Sequence, residues 1–143
     1  MTDAIRIHRF GGPEQLQLDT APTGEPAAGE VRIRQTHIGV NYIDIYFRTG
    51  LYSPASMPFT PGLEAAGEVV AVGDGVTGLT PGQRVAYVGG PSGAYATERV
   101  IAADRVVALP TAVGSEQAAA MMLKGLTAHM LLQRVCAVQS GDR

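Results

Sequence analysis

The chain has 143 residues, eleven Lys and Arg against thirteen Asp and Glu, and a formal charge of −2. That length fits one domain with one core, and the near-neutral balance offers no cationic footprint for a nucleic-acid backbone or an anionic membrane surface. The lone Cys136 excludes an intrachain disulfide and a structural zinc site built on several thiolates. Residues 1–10 carry Asp3, Arg6 and Arg9 and lack the apolar run of a signal peptide. No stretch approaches the roughly 18 uninterrupted apolar residues of a membrane span. A soluble, cytoplasmic protein is expected.

Period-two alternation marks three half-buried strands, around Ile5 and Ile7, Leu16 and Leu18, and Val31 and Ile33. Gly11-Gly12-Pro13 and the Pro- and Gly-bearing run 22–29 separate them as turns. Asn41 then opens a short segment in which Ile43, Tyr46 and Phe47 recur at helical spacing, so about two helical turns are predicted before Gly50 stops them. Strands are expected again over 68–72, 84–88, 94–101 and 106–109, each bounded by Gly, Pro or Asp. Short strands at this spacing argue for a barrel or sandwich. After Pro110 the character turns helical: Ser115 is placed to cap a first helix running to Leu123, and a second is expected beyond Lys124-Gly125, with Leu126, Met130, Leu131, Leu132 and Val135 on its apolar face. Gly141-Asp142-Arg143 reads as a turn. Two apolar helices behind a β-domain with its own core need something further to pack on, and without it should expose several hundred Å² of apolar surface.

Some motifs look chemical and are not. Gly73-Asp74-Gly75-Val76-Thr77-Gly78 spells G-x-G-x-x-G, with Glu98 beyond it where a ribose-binding acid would stand. A dinucleotide site needs a helix N-terminus aimed at the pyrophosphate, and Leu79-Thr80-Pro81-Gly82 cannot open one; Asp74-Gly75 reads as a tight turn. Gly90-Pro91-Ser92-Gly93 lacks the spacing of a nucleophile elbow. His8, His37 and His129 are scattered, with no i, i+4 pair, and no metal site is expected.

Pro61-Gly62-Leu63-Glu64-Ala65-Ala66-Gly67-Glu68-Val69-Val70-Ala71-Val72-Gly73, followed by Gly82-Gln83-Arg84-Val85, resembles the catalytic-domain signature of the medium-chain dehydrogenases/reductases. Gly39-Val40-Asn41-Tyr42-Ile43-Asp44, Arg48-Thr49-Gly50-Leu51-Tyr52, Gly93-Ala94-Tyr95 and Leu123-Lys124-Gly125-Leu126-Thr127 are similar to the zinc-independent quinone oxidoreductase branch, the zeta-crystallin type. The resemblance implies an α+β, mainly β fold: a GroES-like bent β-barrel over 1–112, and a helical segment over 113–143 leading into a Rossmann domain outside this chain. Zinc alcohol dehydrogenases of this superfamily place a cysteine at the position of Asn41 and a histidine at that of Leu63. An amide and a bare isobutyl group cannot assemble that Lewis acid.

What the resemblance implies for function is an NADPH:quinone oxidoreductase that delivers hydride without zinc, active as a homodimer of the full-length protein. Its main NADPH site would lie beyond residue 143, leaving the present chain inactive alone. It places Asn41, Tyr42, Ile43, Asp44, Tyr46 and Thr127 against the cofactor and Tyr46 and Tyr52 against the quinone. Each has a plainer structural role open to it: Asn41 as N-cap of the short helix, Tyr46 and Tyr52 as core aromatics, Thr127 as a cap of the last helix. The rival functions are a zinc-free enoyl or alkenal reductase and, in another class, a non-catalytic GroES-like binding or structural module. RNA binding finds little support in the charge.

Overall fold

The computed structural model describes residues 1–139 and 141; the turn expected over 141–143 falls partly outside the described residues. Strand β1 (Thr2–Arg6) pairs antiparallel with β2 (Gln17–Ala21), Ile5 opposite Leu18. Against expectation, Leu16 lies outside β2 and both Leu16 and Leu18 are exposed, while Gln15 is buried, because β2 pairs with β1 alone in a two-stranded sheet. Strand β3 (Glu30–Gly39), helix α1 (Tyr42–Thr49), β4 (Glu64–Val72), β5 (Arg84–Val88), β6 (Glu98–Ala102), β7 (Val106–Ala108) and helix α2 (Ser115–Met130) follow. The last five strands form one antiparallel sheet in the order β6-β3-β4-β5-β7. Register shifts along β3, between Arg32 and Ile33 and between Gln35 and His37, bend it as bulges do. The small sheet is laced to the large one through backbone bonds: Ile5 N–H to Tyr95 O at 2.8 Å, Thr97 N–H to Asp3 O at 2.8 Å, and a reciprocal pair between Ile7 and Phe59 at 2.9 and 3.1 Å. This mainly β architecture with its late helix is the fold class that the motifs led us to expect.

Three boundaries differ from the sequence reading, each for a tertiary reason. Strand β4 starts at Glu64, ahead of the expected 68, although Ala65, Ala66 and Gly67 are poor strand formers. They sit between two partners, His37–Gly39 side and β5 side, with Ala65 opposite both Ile38 and Tyr87. The expected strand 94–101 is shortened at its start, because Ala94 and Tyr95 give their N–H groups to Gly62 O and Pro61 O, and only Glu98–Ala102 joins the sheet. The expected pair of helices is a single one. Helix α2 runs through Lys124 and Gly125, since one interior glycine costs a helix only about 1 kcal/mol relative to alanine. Gly114, not Ser115, occupies its N-cap, and Gln117 Oε1 reaches back to accept the Gly114 N–H at 3.1 Å. After Met130 the helix widens into a π-type turn, Leu131–Val135.

Alternation sets the two faces of the sheet. Val31, Ile33, Ala65, Val69, Val85 and Tyr87 point into the main core with Leu79, Ile101 and Val106. Ala66 and Ala86, directly opposite one another, point the other way and meet Ala118 and Ala119 of α2. Small residues on both sides let the helix lie close to the sheet. Gly39 makes the closest approach: a Cβ there would stand 2.4 Å from Ala119 O and 2.4 Å from Glu64 Cγ. The N-terminal half of α2 is thus packed on this domain, whereas Leu126, Met130, Leu131, Leu132 and Val135 are exposed. No helix among the described residues is long and apolar enough to cross a membrane.

Candidate active site

Helix α1 is short and strongly specified at both ends. Asn41 has extended N-cap dihedrals, and the Asp44 carboxylate, in the first turn, accepts the Asn41 N–H at 2.9 Å. A carboxylate there also opposes the positive end of the helix dipole. Gly50 closes the helix in the left-handed region at φ 84°. Because Asp44 supplies the cap bond, the Asn41 side chain is left to act elsewhere. Its Nδ2 donates to Glu64 Oε1 at 2.7 Å, and its Oδ1 accepts from Lys124 Nζ at 2.9 Å. Asn41 therefore holds the N-cap position by backbone while its amide faces the opposite helix.

Asp44 is buried, and its Oδ2 also accepts the Tyr95 hydroxyl at 2.9 Å; its buried Oδ1 has no partner among the described residues. Burial, and then the Asp44 charge beside it, push the Tyr95 phenol well above its ordinary pKa. Along the outer side of α1 the aromatic rings meet edge to face, Tyr42 with Tyr46 at 5.3 Å, Tyr46 with Tyr52 at 5.4 Å and Phe47 with Tyr52 at 5.8 Å between centroids. Such contacts fix ring planes through their quadrupoles.

Two clefts that share a wall border this helix, beside a third lined by Asn41, Tyr42, Asp44, Arg48 and Tyr95. The first, about 580 Å³, opens between α1 and α2 and is lined by Asn41, Tyr42, Ile43 and Leu63 on one side and Leu123, Lys124 and Thr127 on the other. The second is lined by Ile43, Leu63, Phe47 and Phe59 together with the loops around Ser53 and Pro91. Ile43 and Leu63 line both, so these two apolar side chains form the wall between them. Four of the cofactor-side candidates, Asn41, Tyr42, Ile43 and Thr127, thus share one cleft. Asp44 does not line it and braces it from behind through Asn41 and Tyr95, and Tyr46 meets it through its contact with Tyr42. The Thr127 hydroxyl donates to Leu123 O at 2.7 Å, one turn back in α2, and caps no helix end.

Glu64 and Lys124 received no role from the sequence. Glu64 is fully buried, and accepts from Asn41 Nδ2, from Leu123 N–H at 2.6 Å and from Lys124 Nζ at 3.4 Å. The signal was present in both cases: a lone acid in the apolar run from Leu63 to Ala66, and a lone base after Ala118 to Leu123. Charged residues in otherwise apolar segments are buried only when paired. Among the described residues no three His, Cys, Asp or Glu side chains come together as a metal-binding group.

A bent antiparallel sheet with a helix across its alanine-lined face, and a cleft where that helix meets the loop after β3, defines a GroES-like domain of the dehydrogenase type. The chain belongs to the alcohol dehydrogenase GroES-like domain family, whose profile matches residues 27–111. Over 142 residues it is 45% identical to a quinone oxidoreductase of Pseudomonas aeruginosa, covering 99% of this chain and 44% of that protein. The crystal structure of Escherichia coli quinone oxidoreductase complexed with NADPH superposes with a TM-score of 0.90 at 45% identity, over 92% of this chain and 40% of that one. A 2-haloacrylate reductase of Burkholderia sp is 40% identical over 147 residues, covering 99% of this chain and 44% of that protein. The chain therefore spans less than half the length of these relatives.

Proposed function

We propose that this chain is the substrate-side part of an NADPH-dependent quinone oxidoreductase that works without zinc, with residues 1–112 as the GroES-like domain and 113–143 leading into a cofactor domain. The observation that carries the reading is the pairing of an apolar cleft wall, Ile43 and Leu63, with an Asn41 amide already committed to Glu64 and Lys124. Neither Asn41 nor Leu63 offers the thiolate or imidazole of a Lewis-acid site, so the acceptor must be reactive by itself, as an electron-poor quinone is.

The residues of the first cleft fit a nicotinamide ring. Ile43, Leu63 and Leu123 give it an apolar face, and Asn41 and Thr127 add polar atoms at the rim; Tyr42 closes the outer side, with Asp44 and Tyr46 behind. Bound there, NADPH supplies the hydride. The task of this chain is then to orient and to exclude water. The acceptor lies on the open face of the ring in this same cleft, within contact distance for hydride transfer, with Ile43 and Leu63 as its floor and Lys124 at its edge. Behind that floor Tyr46 and Tyr52 hold Phe47, which lines the second cleft, at a fixed tilt. Positioning of this kind is worth up to roughly 7 kcal/mol of barrier.

The similarity to a 2-haloacrylate reductase favours one second reading, in which the hydride goes to an activated C=C bond. Both are tested by NADPH oxidation with the full-length protein, offered a naphthoquinone and an α,β-unsaturated carbonyl side by side, before and after chelator treatment. Faster turnover of the quinone, unchanged by chelation, is expected; preference for the enone selects the second reading, and loss of activity on chelation refutes the zinc-free one. Residues 1–143 alone are expected to be inactive, and the full-length protein to be a homodimer.

A further inference from the structure

Lys124 stands midway along α2, and its side chain crosses the first cleft to the opposite wall. The ammonium donates to Asn41 Oδ1 at 2.9 Å and lies 3.4 Å from Glu64 Oε1. The amide completes a ring by donating its own Nδ2 to the same carboxylate oxygen at 2.7 Å. These contacts fix the amide's orientation: oxygen toward Lys124, nitrogen toward Glu64. They also explain how a carboxylate with no exposed surface is tolerated, since burial of an unpaired charge is prohibitive. The second Glu64 oxygen is satisfied by the Leu123 N–H at 2.6 Å.

The two ends of this pair are unequal. Glu64 is 0% exposed, whereas the Lys124 side chain is 58% exposed and lines the cleft with Asn41 and Leu63. An ammonium has three N–H donors; Asn41 and Glu64 take two. The third is left for whatever enters the cleft, and the charge behind it is anchored on two sides. A flexible lysine tied in this way has already lost the freedom that makes surface lysines poor binders.

We propose that Lys124 is a catalytic residue of the reductase, donating its remaining N–H to the carbonyl oxygen of the acceptor. The inference deepens the quinone reading and rests on it. When the acceptor takes a hydride from the C–H bond of the reduced nicotinamide, it gains two electrons and one hydrogen, and a negative charge is left on its oxygen. The Lys124 ammonium matches that charge, then transfers a proton to form the hydroxyl, and is reprotonated from water through its exposed side. Quinone, hydride and proton together make the hydroquinone. Asn41 and Glu64 act through Lys124 as positioning residues.

The test uses the full-length protein, NADPH, and the variants Lys124→Met, Lys124→Gln and Lys124→Arg. Loss of one donor to a developing oxyanion lowers kcat by about 100-fold or more, so Lys124→Met and Lys124→Gln are expected to lose kcat on that order with NADPH affinity held within about twofold. Lys124→Arg is expected to recover most of it. A second readout does not depend on turnover: nitrophenol, whose ionisation is visible, is titrated with each protein. The wild type should bind the phenolate and lower the apparent pKa of the bound phenol by about one unit or more, an effect kept by Arg and lost in Met and Gln. Identical nitrophenol titrations for wild type and Met, no phenolate preference in the wild type, or an unchanged kcat in Met and Gln would each overturn the proposal. Absence of quinone turnover in the wild type defeats the functional reading alone, because the nitrophenolate titration still reports on Lys124.

Discussion

At the residue scale the site is governed by how buried polar groups are matched. Asp44 and Asn41 exchange roles that a sequence scan assigns to one residue: Asn41 looks like an N-cap, yet Asp44 supplies the cap bond, freeing the amide for Glu64 and Lys124. Tyrosines carry the clearest pH consequence. Burial raises the pKa of Tyr87, only partly offset by Arg99, whose guanidinium lies 5.0 Å from the ring centroid, and burial followed by Asp44 raises that of Tyr95. A folded pKa above the unfolded value of about 10 means that the stability these groups contribute is fully present below that pH, and is lost as pH rises toward the raised folded value. Urea midpoints are therefore expected to be flat with respect to these groups up to about pH 10 and to fall above it. Tyr95→Phe should weaken the alkaline slope while lowering the midpoint at neutral pH, because Asp44 Oδ2 then keeps only the Asn41 N–H. An unaltered slope in that variant would contradict the assignment. Glu64 and Lys124 show the limit of reading residues one at a time: each is a lone charge beside an apolar run and was given no role, because its partner is visible only once α2 crosses β4.

At the scale of elements, β4 and α2 differ from expectation for the same reason, that packing outweighs local preference. The Ala-Ala-Gly stretch of β4 has weak strand propensity but two hydrogen-bonded neighbours, and Gly125 does not interrupt a helix whose first half lies on the sheet. What fixes the helix is contact with a smooth surface, Ala66 and Ala86 below, Ala118 and Ala119 above. Gly39 is the tightest point of that contact. Gly39→Ala would bring a methyl into the Ala119 carbonyl and the Glu64 side chain, and overpacking of this sort costs about 1–3 kcal/mol. Chemical unfolding should show a loss in that range, together with weaker amide-exchange protection at Leu123, whose N–H binds Glu64. Wild-type protection there would show that α2 adapts without moving. The arginine at position 84 anchors the approach to this helix from the other side, giving its guanidinium to the carbonyls of Val113 and Pro110 at 2.9 and 3.1 Å.

At the scale of the molecule, the domain has two kinds of surface. Its core is closed by the five-stranded sheet, whereas α2 carries Leu126, Met130, Leu131, Leu132 and Val135 outward, Leu132 50% and Val135 65% exposed. An apolar stripe of this extent marks an interaction surface. Residues 1–143 on their own should therefore bind a hydrophobic dye and self-associate, and Leu132→Glu with Val135→Glu should reduce both without changing the unfolding midpoint by more than about 0.5 kcal/mol, as for exposed sites generally. Dye binding that survives the double change would place the apolar surface elsewhere.

The amino-acid sequence determined the alternation of β3, though not that around Leu16 and Leu18, the short helix between Asn41 and Gly50, the dismissal of the Gly73–Gly78 motif as a turn and the family resemblance, because these are encoded within a few residues by periodicity, turn chemistry and contiguous motif. Tertiary structure alone decided the rest: that β4 extends to Glu64, that one helix replaces two, that Asp44 braces the site instead of lining its cleft, and that Asn41, Glu64 and Lys124 close into a single ring. Those are meetings of groups far apart along the chain, and a buried charge reveals its partner only when folding brings the two within hydrogen-bonding distance.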